Sequence, residues 1–112
     1  MVGDAAAFLD PIFSSGVHVA VQSAEFAAAA IAEAMRRKVN FQETGIGLTY
    51  EKKVRLGIDR FRNLISLFYN GESFVVQMKK TLSLPMTRKG FTSAVAGDMW
   101  NESNFLFEKG VL

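Results

Sequence analysis

At 112 residues, 49% hydrophobic and 21% charged, the chain has the make-up of one soluble globular domain. A formal net charge of +2 is too small to argue for a nucleic-acid or anionic-membrane partner. The absence of cysteine excludes a disulfide framework and thiolate chemistry, and it fits a reducing cytoplasm.

The longest uncharged run, residues 11–24, falls short of the roughly 20 apolar residues a spanning helix needs. The first residues lack a basic region and carry Asp4, so no signal peptide is expected. Ten phenylalanines can supply a core. At this size folding buries only about 60–70% of the unfolded surface, so the stability margin is thin.

No strand is expected after residue 10; Met1-Val2 is the one strand-like scrap. From Gly16 to about Lys38 the residues favour helix, and Ser14 or Ser15 can cap its start. Arg36, Arg37 and Lys38 stand at its end, where the helix dipole favours cations. Val17, Val21, Ala24, Ala28, Ile31 and Met35 form one apolar face. Residues 39–48 read as a loop.

A second helix is expected from about Thr49 to Tyr69. Tyr50, Val54, Gly57, Ile58, Phe61, Leu64, Ile65 and Phe68 mark its apolar face, and Lys52, Lys53, Arg55, Asp59, Arg60 and Arg62 its wet one. Asn70-Gly71 ends it. A short third helix over residues 73–82 is closed off by Pro85, and a fourth runs from Thr87 to about Trp100. Gly97-Asp98 reads as a helix end, and Phe105 and Phe107 as packing residues. The expected fold is mostly α, three to four helices, in a single compact unit that changes character near residue 40.

The opening stretch, GDAAAFLDPIFSSGVH over residues 3–18, holds the chemistry. Gly3 permits close backbone approach. Asp4 can accept hydrogen bonds from hydroxyls. Pro11 stiffens the turn, and Ser14-Ser15-Gly16 opens a helix whose first N–H groups lack intrahelical partners. Such an end favours anions.

This stretch resembles the second FAD-binding motif of aromatic-hydroxylase-type flavoprotein monooxygenases, roughly G-D-A-A-H-x-x-x-P-x-x-G-x-G-x-N. Gly3, Asp4, Ala5, Ala6, Pro11 and Gly16 match. Ala7 stands where His is common, Ser14 replaces the first Gly of the turn, and His18 stands where Asn is usual. The variant D-P-x-F-S-S-G-V-H is similar to the flavin-dependent halogenase branch. The likeness covers the whole chain, with high specificity in residues 3–20.

The resemblance implies a C-terminal fragment of an FAD-binding flavoprotein of the glutathione-reductase type, without its Rossmann sheet. Residues 1–40 would hold the second FAD motif and the Ala-rich helix, and residues 41–112 the C-terminal helical region. It implies FAD contacts from Asp4 on the ribityl chain or ribose region. Asp10, Pro11, Ser14, Ser15, Gly16 and Val17 would lie along the isoalloxazine ring, with N–H groups of residues 15–17 at its N1/C2 edge. Ser15 and Gly16 are the halide candidates. The parent activity implied is halide oxidation by a flavin peroxide and halogenation of an aromatic or carrier-bound substrate.

An N-terminal G-x-G-x-x-G is missing, since Gly45-Ile46-Gly47 continues as Leu-Thr-Tyr. The chain alone is therefore expected to be inactive, with no catalytic residue of its own and no metal site. The partner expected is the missing Rossmann portion or a second copy. Self-association would run through the apolar face of helix 16–38, which makes a non-catalytic, homo-oligomeric helical module the alternative reading. His18, the lone histidine, is expected to pack rather than to catalyse.

Overall fold

The structure is a computed structural model that describes residues 1–9, 14–42, 44–71, 75–76, 79–80, 83–108 and 110. The described residues are helical and contain no strand. A 3-10 turn at Gly3–Ala5 opens the chain. Helix α1 spans Ser15–Arg37, α2 spans Ile46–Tyr69, α3 spans Pro85–Val95, and α4 is a single turn at Phe105–Glu108. The chain divides into two compact units, Met1–Ile58 and Asp59–Leu112. This division falls inside α2. None of the described helices is long and apolar enough to cross a membrane.

In the first unit the 3-10 turn is fastened to α1. The Gly3 amide donates to Ser23 Oγ at 3.1 Å, and the Ser23 hydroxyl donates to the Ala20 carbonyl at 3.2 Å. Gly3 has a φ of +62°, and a Cβ there would stand 3.5 Å from that of Ala20. The positive φ is what favours glycine here, since that contact would be an ordinary one. Val2, just before the turn, keeps an extended backbone with φ −135° and ψ 152°. Leu9, Val19, Ala34, Val54 and Ile58 are the buried hydrophobics of this unit. Lys53 of α2 lies over the Phe26 ring of α1, 5.6 Å from its centroid. The Tyr50 hydroxyl donates to the Met1 carbonyl at 2.6 Å.

Helix α1 ends on Lys38 with φ +54°, its amide reaching the Ala34 and Met35 carbonyls, and Val39 N–H also bonds Ala34 O at 3.1 Å. This is a Schellman-type closure with lysine where glycine is usual. Helix α2 starts three residues earlier than expected. The Gly47 amide bonds the Phe41 carbonyl at 3.2 Å, and a Cβ on Gly47 would sit 2.9 Å from the Phe41 ring, so this glycine packs instead of looping.

In the second unit the core is Phe61, Leu64, Ala94, Met99 and Leu106, all at most 1% exposed. Phe61 meets Trp100 edge-on, with centroids 6.2 Å apart. Arg60, expected on the wet face, instead donates to the Met99 carbonyl at 2.7 Å and lies 4.0 Å over the Phe107 ring. Burial lowers its pKa, with Glu102 opposing. Pro85 opens α3 rather than closing a preceding helix. Its missing N–H costs nothing at the first helical position. Most of the third expected helix lies outside the described residues; Val75, Val76, Lys79 and Lys80 are helical. Helix α3 stops at Val95, and Gly97 follows with φ +97°.

Candidate functional site

The residues nominated from the sequence gather where the 3-10 turn meets the start of α1. Ser14 is the cap position, with φ +51° and ψ +26°, and its side chain makes no capping bond. Its carbonyl carries the junction instead. It accepts from the Val17 amide at 3.1 Å, from the His18 amide at 3.5 Å, and from His18 Nδ1 at 3.3 Å. The capping role expected of the Ser14 hydroxyl is therefore corrected: backbone and imidazole close this helix start. His18 is half-buried and anchors the turn. The left-handed backbone at Ser14 also explains a feature of the motif it resembles. Positive φ is the conformation glycine adopts at least cost, and Ser14 stands where that motif has glycine.

A groove of about 570 Å³ opens at this junction. Asp4, Phe8, Leu9, Ser14, Gly16, Val17 and Ala20 line it. Four of the seven nominated residues, Asp4, Ser14, Gly16 and Val17, thus share one cavity. Asp10 and Pro11 lie outside the described residues. Ser15 is fully buried and is not part of the groove lining.

Asp4 is exposed, and a Cβ placed on Gly16 would come within 3.5 Å of its Oδ1. The carboxylate therefore stands beside the first turn of α1, where the helix dipole favours it. Gly16, the second residue of α1, has no intrahelical carbonyl for its N–H to reach. Lacking a side chain, it leaves the space between helix start and carboxylate clear. The Val17 amide is engaged by the Ser14 carbonyl, which leaves Gly16 as the amide best placed at the groove.

These features fit a flavin. A carboxylate can accept from sugar or ribityl hydroxyls, a glycine lets a planar group approach the backbone, and Phe8, Leu9, Val17 and Ala20 offer apolar walls. Phe8 was not nominated from the sequence, yet it lines the groove and is 74% exposed. Its signal was available: a large aromatic set between Asp4 and Pro11 has no core partner in the motif.

A second groove of about 450 Å³ lies in the same unit, lined by Met1, Val2, Ala27, Ile31, Ala34, Met35, Lys38, Val39, Phe41 and Tyr50. Lys38 and Tyr50 are the ionisable side chains of this otherwise apolar lining. Among the described residues no cluster of three metal-ligating side chains occurs.

A sequence profile of the tryptophan halogenase family matches residues 1–109. The chain is 44% identical over 69 residues to the 1H-pyrrole-2-carbonyl-[peptidyl-carrier protein] chlorinase of Pseudomonas fluorescens, covering 62% of this chain and 15% of that protein. It is 43% identical over 61 residues to a flavin-dependent halogenase of Armillaria mellea, covering 54% of this chain and 11% of the relative. It is 58% identical over 36 residues to a flavin-dependent halogenase of Aspergillus niger, covering 32% and 8%. The chain thus spans under a fifth of the length of these curated relatives. No solved structure matches it.

Proposed function

The chain belongs to the tryptophan halogenase family, and on that premise we propose that it supplies the flavin-facing groove of an FAD-dependent halogenase. One observation carries this reading: Asp4, Ser14, Gly16 and Val17 line a single cavity at the start of α1. When bound and reduced, the flavin would activate dioxygen, the oxidant that halide oxidation needs.

The chain's own residues have distinct tasks. Asp4 accepts hydrogen bonds from the sugar-like part of the cofactor. The Gly16 amide presents a fixed donor at the helix start, where negative charge on the cofactor is favoured. Phe8, Leu9 and Val17 exclude water from one side of the ring. Ser15 with Gly16 is the halide candidate at the helix start. No residue here is assigned a catalytic role, and the chain by itself is expected not to turn over. The name of the Pseudomonas relative supports a carrier-bound aromatic substrate for the whole enzyme.

Flavin fluorescence quenching during titration of the purified chain with FAD tests this. Saturable binding is expected, weakened by Asp4→Ala and by Phe8→Ala. Gly16→Val should abolish it by filling the groove while leaving far-UV circular dichroism unchanged. Absence of saturable binding to the unaltered chain would overturn the reading.

A further inference from the structure

An asparagine side chain is a latent electrophile wherever the next backbone nitrogen can reach its carbonyl carbon. The chain has five asparagines, and the residues that follow them are Phe41, Leu64, Gly71, Glu102 and Phe105. Four of the five are shielded. Asn40 Oδ1 accepts from the Gln42 amide at 3.0 Å, and the bulky Phe41 follows it. Asn63 lies inside α2, where the next amide is spent in the helical ladder. Asn101 Nδ2 donates to Asp98, and its Oδ1 accepts from the Ser103 amide. Asn104 is buried, its amide group engaged by both Gly90 and Leu106.

Asn70 lacks each of these protections. It stands just past the end of α2, and both it and Gly71 are exposed. Among the described residues, none bonds to its side chain. Its own amide donates to the Ser66 carbonyl at 3.1 Å, and the Gly71 carbonyl accepts from Val75 at 3.2 Å. The Gly71 amide between them belongs to neither bond. Gly71 has a φ of +44°, and a Cβ built there would meet nothing within 4 Å. Glycine adopts this backbone at least cost and sets no side chain in the way of the reacting carbonyl.

From this we propose that Asn70-Gly71 is a self-modifying site, at which the asparagine converts to aspartyl and isoaspartyl forms without a catalyst. The Gly71 nitrogen gives its proton to solvent base and bonds to Asn70 Cγ. The Cγ–Nδ2 bond breaks, ammonia leaves and a cyclic imide closes. Water then opens the ring. Attack at Cγ gives a normal aspartate. Attack at the main-chain carbonyl leaves the backbone running through the side chain, as isoaspartate. Nothing is oxidised or reduced. Either product adds a negative charge just beyond α2, where the helix dipole disfavours an anion. No basic residue in the last turn offsets it. The conversion therefore loosens this helix end, where the Asn70 amide holds the Ser66 carbonyl.

Ageing the purified chain in warm, mildly alkaline buffer tests this, with tandem mass spectrometry to separate residue 70 from residue 63. Residue 70 should gain the mass difference between a carboxyl and an amide, and an isoaspartyl methyltransferase should label it. The other four asparagines should stay intact over the same interval. Asn70→Gln should abolish the change, because closure would need a larger ring, and Gly71→Ala should slow it several-fold. Amide exchange at residue 70 should be faster in Asn70→Asp than in the unaltered chain; equal exchange would overturn the loosening. Survival of Asn70 in the folded chain, over an interval in which the urea-unfolded chain converts, overturns the inference, since the fold would then protect the site. So does conversion of any other asparagine before Asn70.

Discussion

Asn104 is tied to Gly90 in two ways: its Nδ2 donates to the Gly90 carbonyl at 2.9 Å, and its Oδ1 lies 2.6 Å from where a Cβ on residue 90 would stand. That same Oδ1 accepts from the Leu106 amide at 3.0 Å and so caps α4. One buried amide thereby joins α3 to the tail. Replacing a helical glycine by alanine ordinarily gains about 1 kcal/mol. Here Gly90→Ala should lose about 1–3 kcal/mol, because the clash with buried Asn104 outweighs propensity. Asn104→Ala should cost about 1–2 kcal/mol through the lost cap and the orphaned carbonyl. Urea unfolding of both variants checks the sign and the size.

Among the described residues, the two non-glycine residues with positive φ, Ser14 and Lys38, bracket α1. A left-handed conformation costs an ordinary residue about 1–2 kcal/mol, part of which glycine returns as entropy of the unfolded chain. Ser14→Gly and Lys38→Gly should each stabilise by about 0.5 kcal/mol, a few degrees in Tm. Ser14→Ala should show no gain, since the hydroxyl makes no capping bond and the Cβ remains. A large loss in Ser14→Ala would show that the hydroxyl caps after all.

Glu33 accepts from Arg36 Nη2 at 2.8 Å and from Arg36 Nε at 2.9 Å, and Arg37 Nε adds a third bond. These hydrogen bonds, Arg36 first, lower its pKa from 4.5 to about 2. A depressed folded-state pKa makes the pairing a stabilising influence above about pH 4.5 that fades as pH falls through about 2. The side-chain carboxyl shift of Glu33, followed by NMR, should titrate near that lower value and move upward in Arg36→Gln. High salt should shrink the effect, because the group is exposed.

Arg60 combines a hydrogen bond to Met99 O with stacking on Phe107. Arg60→Ala should destabilise by about 1–2 kcal/mol, and Arg60→Lys by a large part of that, since a lysine ammonium cannot stack as a planar fork. Thermal unfolding of both variants, with Phe107→Leu as the partner change, separates the ring contact from the hydrogen bond.

Helices were legible wherever apolar spacing was regular. Val54, Ile58, Phe61 and Leu64 read as buried and are buried. What spacing cannot show is side-chain reach. Arg60 sits at a position that periodicity assigns to solvent, and only the tertiary placement of Met99 and Phe107 draws it in. Pro85 and Gly47 look like breakers in the sequence, yet the same residue types serve at helix starts and in close packing. For the site, the motif located the junction of turn and helix. It could not show which atoms carry it: the Ser14 carbonyl rather than its hydroxyl, and Phe8 on the wall.

Val17 lines the groove at the start of α1 and is 66% exposed. An occupant of the groove would take that side chain out of water, and withdrawal of apolar surface carries a negative heat-capacity change. Calorimetry of an FAD titration at several temperatures should therefore give a negative heat capacity of binding, smaller in Val17→Ala.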